Sequence, residues 1–206
     1  LLPPSAPPGV DAVLAVADGM GGHQAGEVAS ALAVQIVSSE LASSIASSPL
    51  SGEKDPGATV QGFLRDAVQE ANREITQQSQ GDRQGMGTTF TAAVVMKDQA
   101  HIAHVGDSRA YLLRAGVITP ITKDHSWIAD EVRAGRIEAQ EAATHPRRNL
   151  LTRALGAEPS VDVDTDTVAL QPGDVLILAS DGLHGVVDDA AIASAVSSAP
   201  DPQTAC

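Results

Sequence analysis

At 206 residues the chain suits one domain with a sizeable core, and because 43% of it is hydrophobic but 2% aromatic, that core has to be built from Ala, Val, Leu and Ile. A formal net charge of −13 argues against nucleic acid or an anionic membrane as a partner. The single cysteine, Cys206, excludes a disulfide framework and a cysteine metal cluster, and points to a reducing, cytoplasmic setting.

Residues 1–10 are Pro-rich and lack the basic start and apolar middle of a signal peptide. No apolar run in the chain approaches the roughly 20 residues of a membrane span. A strand is predicted over 11–17, then a Gly-rich loop, then a helix over 25–46 whose apolar stripe is Val28, Leu32, Ile36, Val37 and Leu41. A loop over 49–57 leads into a second helix, 58–78, in which Val60, Phe63, Leu64, Ala67, Val68, Ala71 and Ile75 follow helical spacing. The pattern then changes to β-branched runs at 88–96, 100–105, 109–113 and 117–121, separated by Lys97-Asp98-Gln99, Gly106-Asp107-Ser108 and Arg114-Ala115-Gly116, which reads as an antiparallel meander. Residues 123–156 are polar with helical fragments at 127–134 and 138–143. Strands follow at 161–170 and 174–179, and a last helix starts near Asp188. Two helices, a run of strands, then strands and helix again do not alternate as βαβ units. The fold class is α+β, an antiparallel sheet covered by helices, with two stacked sheets as one arrangement.

The loop Asp18-Gly19-Met20-Gly21-Gly22-His23 is where chemistry is expected. It is not a dinucleotide fingerprint, since Gln24 stands where the third glycine is needed, and it is not a P-loop, since no Lys follows. Asp18 at the end of an apolar strand presents a carboxylate beside glycines that let the backbone come close to a ligand. The same pattern recurs at Asp181-Gly182, and Asp107 follows Gly106 after a third apolar strand. Hard divalent cations take carboxylate oxygens, backbone carbonyls and water, which strand ends next to glycine supply. The structural reading of each Asp is a turn residue, strongest for Asp107 in an apparent hairpin, and spacing does not show that the three converge. Of the six histidines, His23 would stand beside any metal held by the loop and could protonate a leaving group; most of the others read as surface or capping residues.

Several stretches together resemble the metal-dependent Ser/Thr protein phosphatases of type 2C, in their bacterial form. They are Val16 to His23, Gly26-Glu27-Val28-Ala29-Ser30, Gly85-Met86-Gly87-Thr88-Thr89, His104 to Tyr111, Thr122-Lys123-Asp124-His125-Ser126, Asn149 to Gly156 and Ala179-Ser180-Asp181-Gly182-Leu183, in the family's order. The resemblance implies two stacked antiparallel β-sheets flanked by helices and a binuclear Mn2+ or Mg2+ centre. By position Asp18 resembles the acid bridging both metals, Gly19 the carbonyl ligand, Asp181 a ligand of the second metal, Asp107 a ligand of a weaker third metal and His23 the general acid. Residues 123–148 resemble the flap beside the active site. The implied reaction is hydrolysis of phosphoserine and phosphothreonine in proteins by a hydroxide shared between the two metals. Phosphorylated proteins, and a cognate Ser/Thr kinase, are the implied partners.

Two family features are absent: an Arg with an acidic stretch ahead of the first strand, and a late Asp-Asn. The expectation is a single catalytic domain over 1–206, truncated at both ends. An aspartyl nucleophile at Asp164-Thr165-Asp166-Thr167-Val168 is the less economical reading, because Asp162, Asp164 and Asp166 alternate as one solvated strand face would. A non-catalytic phosphoprotein-binding or regulatory domain of the same fold is the alternative from another class. The retained Asp18, Gly19, Asp107 and Asp181 weigh against it.

Overall fold

A computed structural model describes residues 7–206, with the side chains of His23, Ser51 and Asp82 outside that description. Strands β1 (Ala12–Val16), β4 (Phe90–Met96), β5 (Gln99–Val105) and β8 (Asp164–Ala169) form one antiparallel sheet in the order β1-β4-β5-β8. Strands β6 (Arg109–Arg114), β7 (Val117–Pro120) and β9 (Val175–Ala179) form a second, in the order β7-β6-β9. A short ladder joins β2 (Gly19–Met20) to β3 (Gly87–Thr88).

The period-two alternation of β4 shows how the layers stack. Ala92, Val94 and Met96 face the helices α1 (His23–Ser47) and α2 (Pro56–Gln78), whereas Ala93 and Val95 face the second sheet, where they meet Ala110, Leu176 and Leu178. A strand buried on both faces needs an unbroken apolar run, which Phe90 to Met96 supplies apart from Thr91. The expected pair of stacked antiparallel sheets with helices outside is what the chain forms.

Three expectations are corrected. The four runs from 88 to 121 are not one meander: β5 pairs with β8 and β6 with β9, so the chain changes sheet between Val105 and Arg109. The stripe of α1 is rotated from the expected one. Its buried positions are Ala25, Ala29, Ala33, Val37, Leu41 and Ile45, while Val28, Leu32 and Ile36 are partly buried flanks. Small residues at every fourth position let α1 lie close to α2, so Ala wins the central seam over larger neighbours. Finally, α1 is long and apolar enough over Gln24–Ser47 to cross a membrane by length and composition, although here its seam is packed against α2.

The second helix follows its prediction. Asp55 caps it by accepting from the Ala58 N–H at 3.0 Å, and Pro56 occupies the first turn, where a missing N–H costs nothing. Its one buried polar residue, Asn72, accepts from the Gly156 N–H at 2.9 Å and donates to the Glu158 carbonyl at 3.0 Å. Residues 155–158 are thereby held against α2, and Leu155 in turn bridges to Thr88.

Candidate metal centre

Strands β1 and β5 flank β4 and are both antiparallel to it, so they point the same way and end at the same edge of the sheet. Val16 is paired with Thr91 and Val105 with Phe90, so Asp18 and Asp107 emerge side by side. The backbone of Asp18 is held from both ends: its N–H donates to Thr89 Oγ1 at 2.9 Å, and its carbonyl accepts from the Thr89 N–H and the Thr88 hydroxyl, each at 2.9 Å. Gly19 touches the first turn of α1 so closely that a Cβ there would lie 2.0 Å from the Gly26 carbonyl oxygen. No side chain fits, and the loop backbone is brought in against the helix start.

Asp107 lies on the crossing between the sheets, not in a hairpin. Gly106 has φ +109°, its N–H donates to His125 Nδ1 at 3.1 Å and its carbonyl accepts from the His125 N–H at 2.8 Å. The carbonyl of Asp107 accepts from His184 Nε2 at 3.0 Å. The second sheet delivers Asp181: β9 ends at Ala179, paired with Arg109, and Asp181 opens the short helix α5 (Asp181–His184).

Asp18, Gly19, Asp107 and Asp181 line one open cleft of about 1170 Å3, together with Thr89, Met86 and the segments 149–154 and 156–158. The cleft bears on Asp107 and Asp18 electrostatically. Asp107 is pushed up to about 6, first by burial and then by the charges of Asp181, Asp124 and Asp18. Asp18 is also held above the usual carboxylate range, by burial and by Asp181, which lies within hydrogen-bonding reach of it. Acids that raise one another in this way gain from a cation between them. The donors are all oxygen, carboxylates and the Gly19 carbonyl, which suits Mn2+ or Mg2+ and not a soft metal. Among the described residues no three His, Cys, Asp or Glu side chains close into a ready-made cage, so the acids line a wall that the ions would draw together.

All four expected metal residues therefore meet. The side chain of His23 lies outside the described residues; its backbone opens α1 directly after the loop. The expectation that most of the remaining histidines are surface or capping residues is overturned: three of them, His101, His104 and His125, are buried. His104 Nε2 lies 3.1 Å from the Lys123 carbonyl oxygen and Nδ1 2.9 Å from the Thr91 hydroxyl, with burial lowering its pKa to about 4. His125 Nε2 lies 3.1 Å from Asp164, which also accepts from Arg153 at 2.7 Å. Asp164 thus reaches a buried imidazole from the exposed strand face it shares with Asp162 and Asp166, the solvated face the alternation predicts. Asp124 is gripped by Arg109 through two bonds of 2.8 and 2.7 Å. These contacts root the segment expected as a flap, which contains the helices α3 (Trp127–Arg133) and α4 (Ala139–Ala142). Sequence reasoning gave no role to Thr88, Thr89 or His125; the available signal was the pair of hydroxyls opening an otherwise apolar strand run, and His125, in a polar stretch, gave none.

The profile of the protein phosphatase 2C family matches residues 6–200. The chain is 44% identical over 179 residues to the serine/threonine phosphatase stp of Listeria monocytogenes, covering 86% of this chain and 68% of that protein. It is 40% identical over 186 residues to the serine/threonine protein phosphatase PstP of Mycobacterium tuberculosis, covering 89% of this chain and 34% of that longer protein. Among solved structures, a serine/threonine phosphatase of S. agalactiae superposes with a TM-score of 0.83 at 33% identity, over 94% of this chain and 77% of that one. The PstP catalytic domain in complex with two manganese ions superposes with a TM-score of 0.77 at 37% identity, over the same 94% and 77%.

Proposed function

This chain belongs to the protein phosphatase 2C family, and on that premise we propose that it hydrolyses phosphoserine and phosphothreonine in proteins, with the strand-end acids Asp18, Asp107 and Asp181 as its metal-binding wall. It is a metal-dependent serine/threonine phosphatase working with Mn2+ or Mg2+. The observation that carries the site assignment is the convergence of those three acids, from two different sheets, on one cleft.

When bound, two cations would lower the pKa of a water and so supply a nucleophile near neutral pH, and would offset charge on the phosphoryl oxygens. Asp18, the Gly19 carbonyl and Asp181 would hold them, and Asp107 would hold a weaker third ion. His23, opening α1 beside the loop, is the general acid that gives a proton to the departing Ser or Thr oxygen. The hydrogen bonds from Thr88 and Thr89 fix the Asp18 backbone before substrate arrives, so the carboxylate need not be ordered during turnover. The segment 123–148 serves as the flap, rooted by Asp124 and His125. Substrates are phosphoproteins, a cognate Ser/Thr kinase among them, and the lone cysteine supports a cytoplasmic setting.

The test is hydrolysis of a phosphothreonine peptide with and without Mn2+. Turnover should require the metal, and Asp18→Ala and Asp181→Ala should each lower kcat/KM by about three orders of magnitude, more than 4 kcal/mol of transition-state stabilisation. Either variant retaining wild-type turnover would remove that residue from the centre. A folded wild-type protein indifferent to Mn2+ would favour a binding role instead.

A further inference from the structure

Thr89 sits in the break between β3 and β4, and its side chain touches both acid-bearing loops of the first sheet. Its Oγ1 accepts from the Asp18 N–H at 2.9 Å and lies 2.7 Å from the hydroxyl of Ser108, the residue after Asp107. Both side chains are buried, Ser108 completely. Its Cβ and methyl occupy the space left by Gly106, where an added Cβ would lie 2.7 Å from each. Ser108 is fixed in turn by Thr91, whose hydroxyl lies 3.0 Å from its carbonyl oxygen. Strands β1 and β5 exchange no main-chain bonds, since β4 lies between them. The hydroxyl pair therefore joins two strand ends that the ladder leaves to diverge.

We propose that Thr89 is a positioning residue that, through Ser108, sets the separation of Asp18 from Asp107 and so couples the metals held on the two sides of the cleft. Two roles are combined in one side chain. The Cβ, which serine would keep, fills the space beside the Gly106 crossing, and the hydroxyl ties that crossing to the Asp18 backbone. Groups that orient metal ligands without touching the metal govern affinity because they decide how much ordering the ion must impose on binding. The inference rests on the metal-centre reading given above, and concerns which group positions that centre.

Three variants test it by calorimetric Mn2+ titration and by the Mn2+ dependence of phosphothreonine-peptide hydrolysis. Thr89→Val keeps the branched shape and deletes the hydroxyl; Thr89→Ser keeps the hydroxyl; Ser108→Ala cuts the bridge while leaving the bond from Asp18 to Thr89. Thr89→Val and Ser108→Ala should weaken Mn2+ binding about 10- to 100-fold. They should raise the Mn2+ needed for half-maximal turnover in step, with a smaller fall in kcat at saturating metal. Thr89→Ser should stay close to wild type in both readouts. Wild-type Mn2+ titration curves in folded Thr89→Val and Ser108→Ala would overturn the bridge, as would a Thr89→Ser as impaired as Thr89→Val. Should Thr89→Val fail to fold, Ser108→Ala decides. A wild-type protein that binds no Mn2+ is a different result, and overturns the metal-centre reading itself.

Discussion

His104 shows at the scale of one residue how burial fixes chemistry. Its Nε2–H donates to the Lys123 carbonyl, and burial lowers its pKa from 6.5 to about 4. The unfolded chain then binds a proton that the native one refuses over that range. The resulting stability is full above about pH 6.5 and is lost as pH falls toward 4. Between pH 7 and pH 5 this residue should cost the native state about 2 kcal/mol. Urea midpoints at the two values should therefore diverge less in His104→Gln than in wild type; equal divergence would show that the imidazole is not the source. Residue types were legible in the sequence where they interrupt a pattern, as Asp18 and Asp181 do at the ends of apolar runs. His101 and His104 were misread because a histidine in a strand gives no sign of which face it takes or what it will meet there. Asp107 was hardest, since Gly-Asp-Ser is equally good turn chemistry, and the change of sheet that brings it to the cleft depends on β8 and β9, far along the chain.

Among the elements, α2 was read almost residue for residue because its polar and apolar faces contrast, whereas α1, apolar or small nearly all round, gave no contrast from which to locate its seam. The structure puts that seam on the buried Ala25, Ala29 and Ala33. The consequence can be measured. Ala33→Leu should destabilise the fold by about 1–3 kcal/mol, by forcing α1 from α2, even though leucine is a good helix former. The same change at Ala31, on the exposed face, should be nearly neutral. A denaturation midpoint unchanged in Ala33→Leu would mean that the seam has slack. The split of the 88–96 run at Thr89 was also invisible beforehand, because Thr is a good strand residue and the break comes from what Asp18 asks of it.

For the whole molecule, electrostatics opposes the fold at the cleft. The net charge is −13, and Asp107 is raised to about 6 because burial and three neighbouring acids disfavour its charge. An acid with a raised native pKa favours the fold while it is protonated and penalises it once pH passes that value. The metal-free protein therefore carries a penalty near pH 7 that a divalent cation bound at Asp107 would remove. Added Mn2+ should raise the melting temperature, with a gain of about 2.7 kcal/mol when free metal is a hundredfold above Kd. The rise should be larger at pH 7 than at pH 5, where a proton already satisfies Asp107, and a chelator should reverse it. A shift equal at both values would detach Asp107 from the metal.

The register of β1 against β4 bears on how the chain reaches this state. The α1–α2 hairpin and the β4–β5 hairpin each close over short stretches of chain, but Ala12 meets Val95 only after both helices have been threaded between them. Local pieces close cheaply and early, and distant pairings wait for the loop-closure entropy to be met. The acids belong to the distant pairings. On loop-closure grounds alone the cleft belongs with the costlier closures of the molecule, since its three carboxylates become neighbours only through pairings between distant stretches of chain.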